Sequence, residues 1–340
     1  MKERKIPEPK PAFVERMRKL LPDKIDNKNY WEISKIEPVN SVRVNTIKST
    51  PEEVIKKLEN YGWKLNQPWK NFPEILIIEG KKPTGKDGEI LVKKNLAKLE
   101  PGELGRSLEH LLGYYYIQEL SSMLPEITLS PMENEKYLDL CASPGSKTTQ
   151  AGAMMKNSGT IIANEISLGR MRILASNLER CGITNAIITR KDGRELCKKL
   201  AEKNIKFEKV LVDAPCSGEG TLRSSPKTYL MWNLHAIRSL SKLQKQLLKN
   251  AFLCLKPDGE IVYSTCTHAP EENEEVVDFI LREFQGEIEI VPFELPLKTR
   301  PGLTEWEGKI YDNKVSFAKR VYPQDNNTEG FFVAKFRRIK

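Results

Sequence analysis

The sequence predicts an α/β protein in which a doubly wound, mostly parallel sheet follows a small α+β module. From about residue 135, apolar runs alternate with helical segments, which is typical of a parallel sheet covered by helices on both faces. Upstream of that point, two strand-like segments flank a single helix. The chain has 340 residues, more than one hydrophobic core usually supports. We therefore expect two domains, an N-terminal module over residues 1–110 and a larger domain over residues 111–340.

The N-terminal module contains one helix with clear end signals. Thr50 is suited to cap its N terminus, Pro51 fits the first helical position, and Gly62 fits its end. The predicted elements of the module are a basic helical segment (1–35), a strand (40–50), this helix, a second strand (73–80) and an irregular, lysine-rich stretch (81–113).

The larger domain repeats a pattern of strand followed by helix. Its predicted strands are residues 136–141, 160–165, 186–192, 209–214, 259–266 and 329–338. Its predicted helices are residues 168–181, 236–255 and 271–284. Between the second of these helices and the fifth strand, Lys-Pro-Asp-Gly predicts a turn at residues 256–259.

The composition is that of an ordinary globular protein, with 39% hydrophobic and 30% charged residues. No apolar stretch is long enough to span a bilayer, so no membrane partner is expected. The start of the chain is charged and broken by prolines, unlike the apolar core of a signal peptide. We therefore expect a cytoplasmic protein whose cysteines stay reduced.

The six cysteines form no CxxC pair, and the chain has only three histidines, so no metal site is expected. A disulfide framework is also unexpected in a chain of this length. A cysteine in a buried strand usually acts as a small hydrophobic residue. That explanation competes with a chemical role for Cys266, which follows the apolar run Ile261–Tyr263.

The net charge of +9 suits a polyanionic partner. Residues 1–24 hold eight basic and four acidic side chains, and residues 81–98 hold six basic and two acidic ones. Either stretch could be ordinary solvated surface. Because both lie outside the strand-rich half, they favour a nucleic-acid partner.

Polar side chains follow each predicted parallel strand, where ligands bind in such sheets. They are the loop Cys141–Lys147, Glu165, Asp192, the run Asp213–Gly218, and Thr265-Cys266-Thr267. The loop opens a helix whose N-terminal N–H groups can meet an anion, but it is neither a Walker A loop nor a GxGxxG. Glu165 is placed to bind a ribose. A ligand with a nucleoside end and an amino-acid end fits best, and S-adenosylmethionine has that shape.

Four segments carry a family resemblance. LDLCASPGSKTT, VDAPCSGEGTLRSSP, YSTCTHAPEENE and EGFFVAKFR resemble, in order, motifs of the RNA (cytosine-5)-methyltransferase family, the RsmB/NOP group. SVRVNTIKS and YYYIQELSSMLP resemble its upstream and joining segments, so the likeness runs from about residue 40 to the C terminus. Ser146 stands where the family usually has a second glycine, and Gln324 where a histidine is common. The fold implied is a Rossmann-like methyltransferase domain with an N-terminal RNA-binding module.

The resemblance implies roles for individual residues. Cys266 would attack C6 of cytosine, Cys216 would assist proton removal or release of the adduct, Asp213 would bind the base edge, and Lys147 would help orient the site. The implied S-adenosylmethionine site comprises Cys141, Ala142, Ser143, Pro144, Gly145, Ser146, Lys147, Glu165, Arg170, Asp192 and Asp213. Cys141, Cys181, Cys197 and Cys254 are assigned to packing.

The resemblance also implies an RNA substrate whose cytidine is unpaired or flipped out. The N-terminal module, with Arg43 and Asn45 in its first strand, is expected to hold the RNA backbone. Tyr114, Tyr115 and Tyr116 could stack on bases, although core packing is the commoner use of such a run. We expect a monomer that acts on tRNA. The alternatives are an rRNA methyltransferase, a DNA cytosine-5 methyltransferase, a small-molecule methyltransferase, and an RNA-binding protein without catalysis.

Overall fold

The computed structural model describes residues 7–82 and 96–339, and it confirms the predicted α/β class. The strands are β1 (Asn40–Val44), β2 (Trp63–Asn66), β3 (Ile75–Lys81), β4 (Tyr115–Ile117), β5 (Lys136–Asp139), β6 (Thr160–Asn164), β7 (Ala186–Thr189), β8 (Phe207–Asp213), β9 (Leu255–Thr265), β10 (Ile288–Ile290), β11 (Arg300–Pro301), β12 (Glu305–Trp306), β13 (Lys309–Ile310), β14 (Lys319–Val321) and β15 (Phe331–Arg338).

The described residues also form thirteen α-helices. They are α1 (Pro11–Leu20), α2 (Lys24–Ser34), α3 (Pro51–Asn60), α4 (Glu103–Arg106), α5 (Leu108–Leu111), α6 (Leu124–Leu129), α7 (Ser146–Met154), α8 (Leu168–Cys181), α9 (Gly193–Glu202), α10 (Thr228–Met231), α11 (Leu234–Leu253), α12 (Glu274–Glu283) and α13 (Pro323–Asn326). Short 3-10 helices lie at Ser121–Met123, Glu219–Thr221 and Asn313–Phe317. Within the described residues, no helix is both long enough and apolar enough to cross a bilayer.

The large sheet has the strand order β11-β14-β15-β9-β8-β5-β6-β7, with β10 paired to β15. The strands β5, β6, β7, β8 and β9 run parallel, whereas β15 joins β9 in antiparallel fashion. The chain winds from β5 outward through β6 and β7, then returns to place β8 on the other side of β5. This reversal is the switch point at which doubly wound sheets bind ligands.

The small sheet, with the order β2-β3-β1-β4, is antiparallel throughout. It has its own core, in which α3 packs Val54 and Leu58 against Val42 and Leu76 of the strands. The predicted cap is present, since Thr50 accepts a hydrogen bond from the backbone N–H of α3 at a distance of 3.3 Å. The strands β2 and β4 were not predicted, because each has four residues or fewer and depends on its partner strand for definition.

The first two helices pack on the large sheet and not on the small one. Phe13, Met17 and Tyr30 lie in the same buried cluster as Tyr229 and Trp232 from the larger domain. Residues 11–34 were predicted to belong to the N-terminal module, but they pack against the larger domain. The exact boundary between the domains stays a prediction.

The structure differs from two local predictions. The predicted turn at residues 256–259 lies inside β9 as a bulge, because pairing with β8 passes from Leu255 directly to Glu260. Asp258 makes this possible by adopting a left-handed φ of +59°. The short helices α4 and α5 lie within the stretch 81–113 that was predicted to be irregular, of which residues 83–95 fall outside the described residues.

Candidate active site

The carboxyl ends of the parallel strands bring most of the predicted site residues to one edge of the sheet. The loop after β5 enters α7 through Gly145, which has a φ of +102°. A side chain at this position would strain the backbone and would place its Cβ only 3.0 Å from Leu174 Cδ1. The loop is fixed to the neighbouring strand by the N–H of Ala142, which donates to the Asn164 carbonyl at 2.8 Å. The N-terminal N–H groups of α7 therefore open onto the switch point.

Glu165, at the end of β6, is connected to the loop after β5 through Arg170. The carboxylate is 3% exposed, and its Oε1 accepts from the Ser167 N–H at 2.8 Å. Arg170 Nε lies 3.6 Å from Glu165 Oε2, and the same guanidinium donates to the Ser143 carbonyl at 2.6 Å. Ser143 in turn donates its hydroxyl to the Arg170 carbonyl at 2.9 Å. These contacts hold the predicted cofactor residues in one connected group.

Asp192 caps α9, and its carboxylate is engaged by Arg194. The Arg194 side chain donates to Oδ1 at 2.9 Å and to Oδ2 at 2.6 Å. This hydrogen-bonded guanidinium holds the pKa of Asp192 below its ordinary value, although burial acts in the opposite direction. A ligand at Asp192 must therefore share the carboxylate with Arg194, which was not predicted.

Asp139 lies directly beneath the loop, at the end of β5. It is buried and accepts from the Thr148 hydroxyl at 2.7 Å, while its Oδ1 has no partner among the described residues. Burial raises the pKa of Asp139 to about 7. The half-buried Cys141 follows in the loop, and burial raises the pKa of its thiol, in keeping with a packing role.

The two cysteines of interest lie side by side on the next pair of strands. Cys216 follows β8 and Cys266 follows β9, and their Sγ atoms are 2.9 Å apart. The hydrogen bond with Cys266, reinforced by burial, raises the pKa of Cys216 well above its ordinary value. Cys216 is therefore held as a neutral thiol beside Cys266. By contrast, Cys181, Cys197 and Cys254 are buried in hydrophobic clusters.

Lys147, which is buried, forms an ion pair near the cysteines with the half-buried Asp213, with Nζ 2.7 Å from Oδ2. Lys147 also donates to the Ser122 hydroxyl at 3.1 Å, and the Ser264 hydroxyl donates to Asp213 Oδ1 at 2.7 Å. Burial acts to lower the pKa of Lys147, but the charge and hydrogen bond of Asp213 outweigh it and raise that pKa. The ammonium group also lies 5.6 Å from the centre of the Phe331 ring.

A cavity of about 350 Å³ contains these groups. Its lining includes Lys147, Asp213 and Cys266, together with residues of the small sheet and Phe331 near the end of the chain. A larger groove of about 900 Å³ shares several wall residues with the cavity and extends across the small sheet. Both parts of the chain therefore shape the cavity that reaches Cys266.

The predicted RNA contacts of Arg43 and Asn45 are wrong, because both side chains are buried between the small sheet and the larger domain. The Arg43 guanidinium donates to the Thr149 hydroxyl at 2.8 Å, to Gln118 Oε1 at 2.6 Å and to the Ser146 carbonyl at 2.9 Å. Asn45 donates to the carbonyls of two residues, Gly113 and Cys181, at 2.8 and 2.7 Å. Both therefore join the two parts of the chain and do not face solvent.

The tyrosine run divides between core and surface. Tyr115 and Tyr116 are buried, in agreement with the core interpretation. Tyr114 is half-buried, with Lys57 Nζ 5.2 Å from its ring. Three groups that line or support the cavity were not predicted: Ser122, Ser264 and Glu329. Ser264 could have been found by its position opposite Asp213 in adjacent parallel strands, whereas the other two come from distant segments.

Within the described residues, no three His, Cys, Asp or Glu side chains cluster closely enough to hold a metal ion.

The chain matches a family model described as 16S rRNA methyltransferase RsmB/F over residues 126–337. A tRNA (cytosine(49)-C(5))-methyltransferase of Pyrococcus abyssi is 38% identical across 96% of this chain and 95% of its own length. Ribosomal RNA small subunit methyltransferase F of Erwinia tasmaniensis is 36% identical across 97% of this chain, which spans only 63% of that relative.

Two solved structures from Pyrococcus horikoshii resemble the whole chain. The structure of NSun6 with SFG has a TM-score of 0.80 at 25% identity, covering 97% of this chain and 98% of that one. A methyltransferase homolog has a TM-score of 0.74 at 30% identity, covering 96% and 99% of the two chains. With a family model that matches more than half of its length and a full-length relative at 38% identity, the chain belongs to the RsmB/F family of S-adenosylmethionine-dependent methyltransferases.

Proposed function

We propose that this protein transfers a methyl group from S-adenosylmethionine to C5 of cytosine in RNA, through a covalent bond between Cys266 and C6 of the base. One observation carries the proposal. Cys266 opens onto a cavity that also holds the Lys147–Asp213 ion pair, and Cys216 lies 2.9 Å away. A nucleophile, a neutral thiol and a charged pair together supply the groups that C5 methylation of a pyrimidine needs.

The cysteine nucleophile makes the reaction possible because C5 of cytosine is itself a poor nucleophile. Addition of the Cys266 thiolate forms an S–C6 bond and moves electron density to C5. S-adenosylmethionine, when bound, supplies the sulfonium methyl group that C5 takes. The C5 proton is then removed and the S–C6 bond breaks, which restores the thiolate and the aromatic ring. This last step returns Cys266 to its starting state, so one cysteine supports repeated turnover.

Asp213 and Lys147 are suited to bind the base edge. The carboxylate, paired with the ammonium group, is a hydrogen-bond acceptor and can receive the exocyclic amino group of cytosine. Lys147 can donate to the ring nitrogen or oxygen on which negative charge collects after Cys266 attacks. Cys216, held as a neutral thiol by Cys266 and by burial, is placed to exchange a proton when the adduct breaks down.

The cofactor site is proposed along the strand ends, at Cys141–Lys147, Glu165, Arg170, Asp192 and Asp213. The residues present fit such a ligand in two respects. The N terminus of α7 offers N–H groups to a carboxylate. Glu165 is buried, and its Oε2 lies 3.6 Å from Arg170 Nε, which is too far for a hydrogen bond. This oxygen can therefore accept hydrogen bonds from ribose hydroxyls.

We infer that the substrate is tRNA. The relative from P. abyssi, named for cytosine 49 of tRNA, matches this chain over 95% of its length. The methyltransferase F relative from E. tasmaniensis is matched over 63% of its length. An rRNA substrate is the alternative. We further expect the protein to act as a monomer in the cytoplasm, on a cytidine that has left its stack.

Transfer of tritiated methyl groups from S-adenosylmethionine to tRNA, rRNA and DNA tests the proposal. We expect label in tRNA, released as 5-methylcytidine on digestion, and none in DNA. Label in rRNA alone would show that the substrate is rRNA and not tRNA. A protein that binds RNA but transfers no label to any of the three would support an RNA-binding role without catalysis, and would overturn the proposal.

A further inference from the structure

Glu329, just before β15, is a carboxylate in the wall of the catalytic cavity. It is 4% exposed, and its Oε1 accepts from the Ser224 N–H at 2.7 Å. Its backbone N–H donates to Glu119 Oε1 at 3.0 Å. The other carboxyl oxygen, Oε2, is buried and has no hydrogen-bond partner among the described residues. A buried polar atom left in this way is unfavourable unless another molecule satisfies it.

The neighbouring Glu119 shows what a purely structural carboxylate looks like in this cavity. Glu119 Oε2 accepts from the backbone N–H groups of Ser121 and Ser122 at 2.7 and 3.3 Å, and its Oε1 accepts from the Glu329 N–H. Both oxygens of Glu119 are therefore used to hold the surrounding loops. Glu329 is held by one oxygen only, and its second oxygen has no hydrogen-bond partner among the described residues.

The surroundings of Glu329 favour its neutral form. Burial raises the pKa of Glu329 to about 7, and the charge of Glu119 acts in the same direction, against the Ser224 hydrogen bond and the charge of Arg223. Across the cavity, the charges of Lys147 and Asp213 are paired with each other. A neutral carboxyl whose Oε1 accepts from Ser224 carries its proton on Oε2, so the unpartnered atom becomes a hydrogen-bond donor.

We propose that Glu329 is a base-binding residue, whose unpartnered Oε2 forms a hydrogen bond with the ring nitrogen or carbonyl oxygen of the target cytosine. This inference rests on the proposed function. The pairing edge of cytosine presents one amino donor and two acceptors, N3 and O2. Asp213 can only accept, so it suits the amino group, and the two acceptors require two donors. Lys147 is one, and Glu329 supplies the second.

The donated hydrogen bond is expected to strengthen during the reaction. When Cys266 adds to C6, negative charge spreads to N3 and O2, the atoms that Glu329 would contact. A neutral donor aimed at developing charge accelerates such a step. Ionisation of Glu329 removes the donor and places a negative charge beside the same atoms, so the contribution is lost as the pH rises through about 7.

Single-turnover methyl transfer to RNA, measured between pH 6 and pH 9, tests this role with two variants. Glu329→Leu should lower the rate at least ~10-fold at pH 7, because a donor to the developing charge is lost, with unchanged affinity for S-adenosylmethionine. Glu329→Gln keeps a donor at every pH, so its rate relative to wild type should increase from pH 6 to pH 9. Glu202→Gln, at the exposed end of α9, is the matched control.

The outcomes separate this inference from the proposed function. A Glu329→Gln to wild-type ratio that does not vary with pH overturns the donor role, because a residue needed only for folding would lower the rate equally at each pH. Wild-type rates in Glu329→Leu overturn it as well. A wild-type protein that labels no RNA overturns the proposed function, and this inference with it. If Glu329→Leu does not fold, the pH dependence of Glu329→Gln alone decides.

Discussion

Replacing Glu165 by alanine should weaken the binding of S-adenosylmethionine by about 1–3 kcal/mol, or roughly 5- to 160-fold in Kd. The magnitude follows from the state of the carboxylate. Glu165 is almost fully buried, and its Oε1 already accepts one hydrogen bond, from the Ser167 N–H. Arg170 Nε, at 3.6 Å from Oε2, is beyond hydrogen-bond distance. Hydrogen bonds from ribose hydroxyls to a buried, charged acceptor would therefore account for most of the loss.

Titration calorimetry with S-adenosylmethionine measures this change directly. Glu165→Gln retains the oxygen that caps Ser167 but removes the charge, so its affinity should lie between those of wild type and alanine. Glu179→Ala, an exposed position near the end of the same helix α8, is the control and should bind as wild type does. Unchanged affinity in Glu165→Ala, in a protein with a normal melting temperature, would refute the assignment of the ribose site to β6.

Three further predictions concern catalysis and stability. Cys266→Ala should abolish methyl transfer but leave calorimetric affinity for S-adenosylmethionine unchanged, and substantial turnover in this variant would refute the nucleophile. Arg43→Met should lower the free energy of unfolding in urea by about 3 kcal/mol or more, because several buried acceptors lose their donor, whereas the exposed Lys56→Met should not. Burial lowers the pKa of His268 to about 3, whereas the unfolded chain keeps the ordinary value of about 6.5. Between these two pH values only the unfolded chain takes up the proton, so the free energy of unfolding decreases as the pH falls from about 6.5 towards 3. His268→Met should therefore lose about 2 kcal/mol less than wild type between pH 7 and pH 5, and identical losses would contradict this account.

The parallel strands could be predicted because their signal is local. Each of β5 to β9 is an apolar run bounded by turn residues, and the end of each run shows which side chains reach the ligand edge. The juxtaposition of Cys216 with Cys266 follows from this rule, since they come after neighbouring strands. Such reasoning extends to Lys147 and Asp213, which lie at the two strand ends that border the switch point.

The rest of the site depends on contacts between distant segments. Arg43 was expected to hold the RNA backbone, yet its partners are Gln118 and Thr149, 75 and 106 residues away. Glu329 enters the cavity only because β15 inserts beside β9 in antiparallel orientation. The strands β11 to β14 have two or three residues each, too few for a periodic pattern. No local feature of the sequence distinguishes these positions.

The central claim is that Cys266 attacks the base and Cys216 acts afterwards, and a denaturing gel of three proteins tests it most directly. Cys216→Ala, incubated with tRNA and S-adenosylmethionine, should give a slowly migrating species that resists heat and disappears after nuclease treatment. Wild type should release its RNA, and the double variant Cys216→Ala/Cys266→Ala should give no such species. Loss of all adduct in Cys216→Ala, or an adduct that survives replacement of Cys266, would contradict the account.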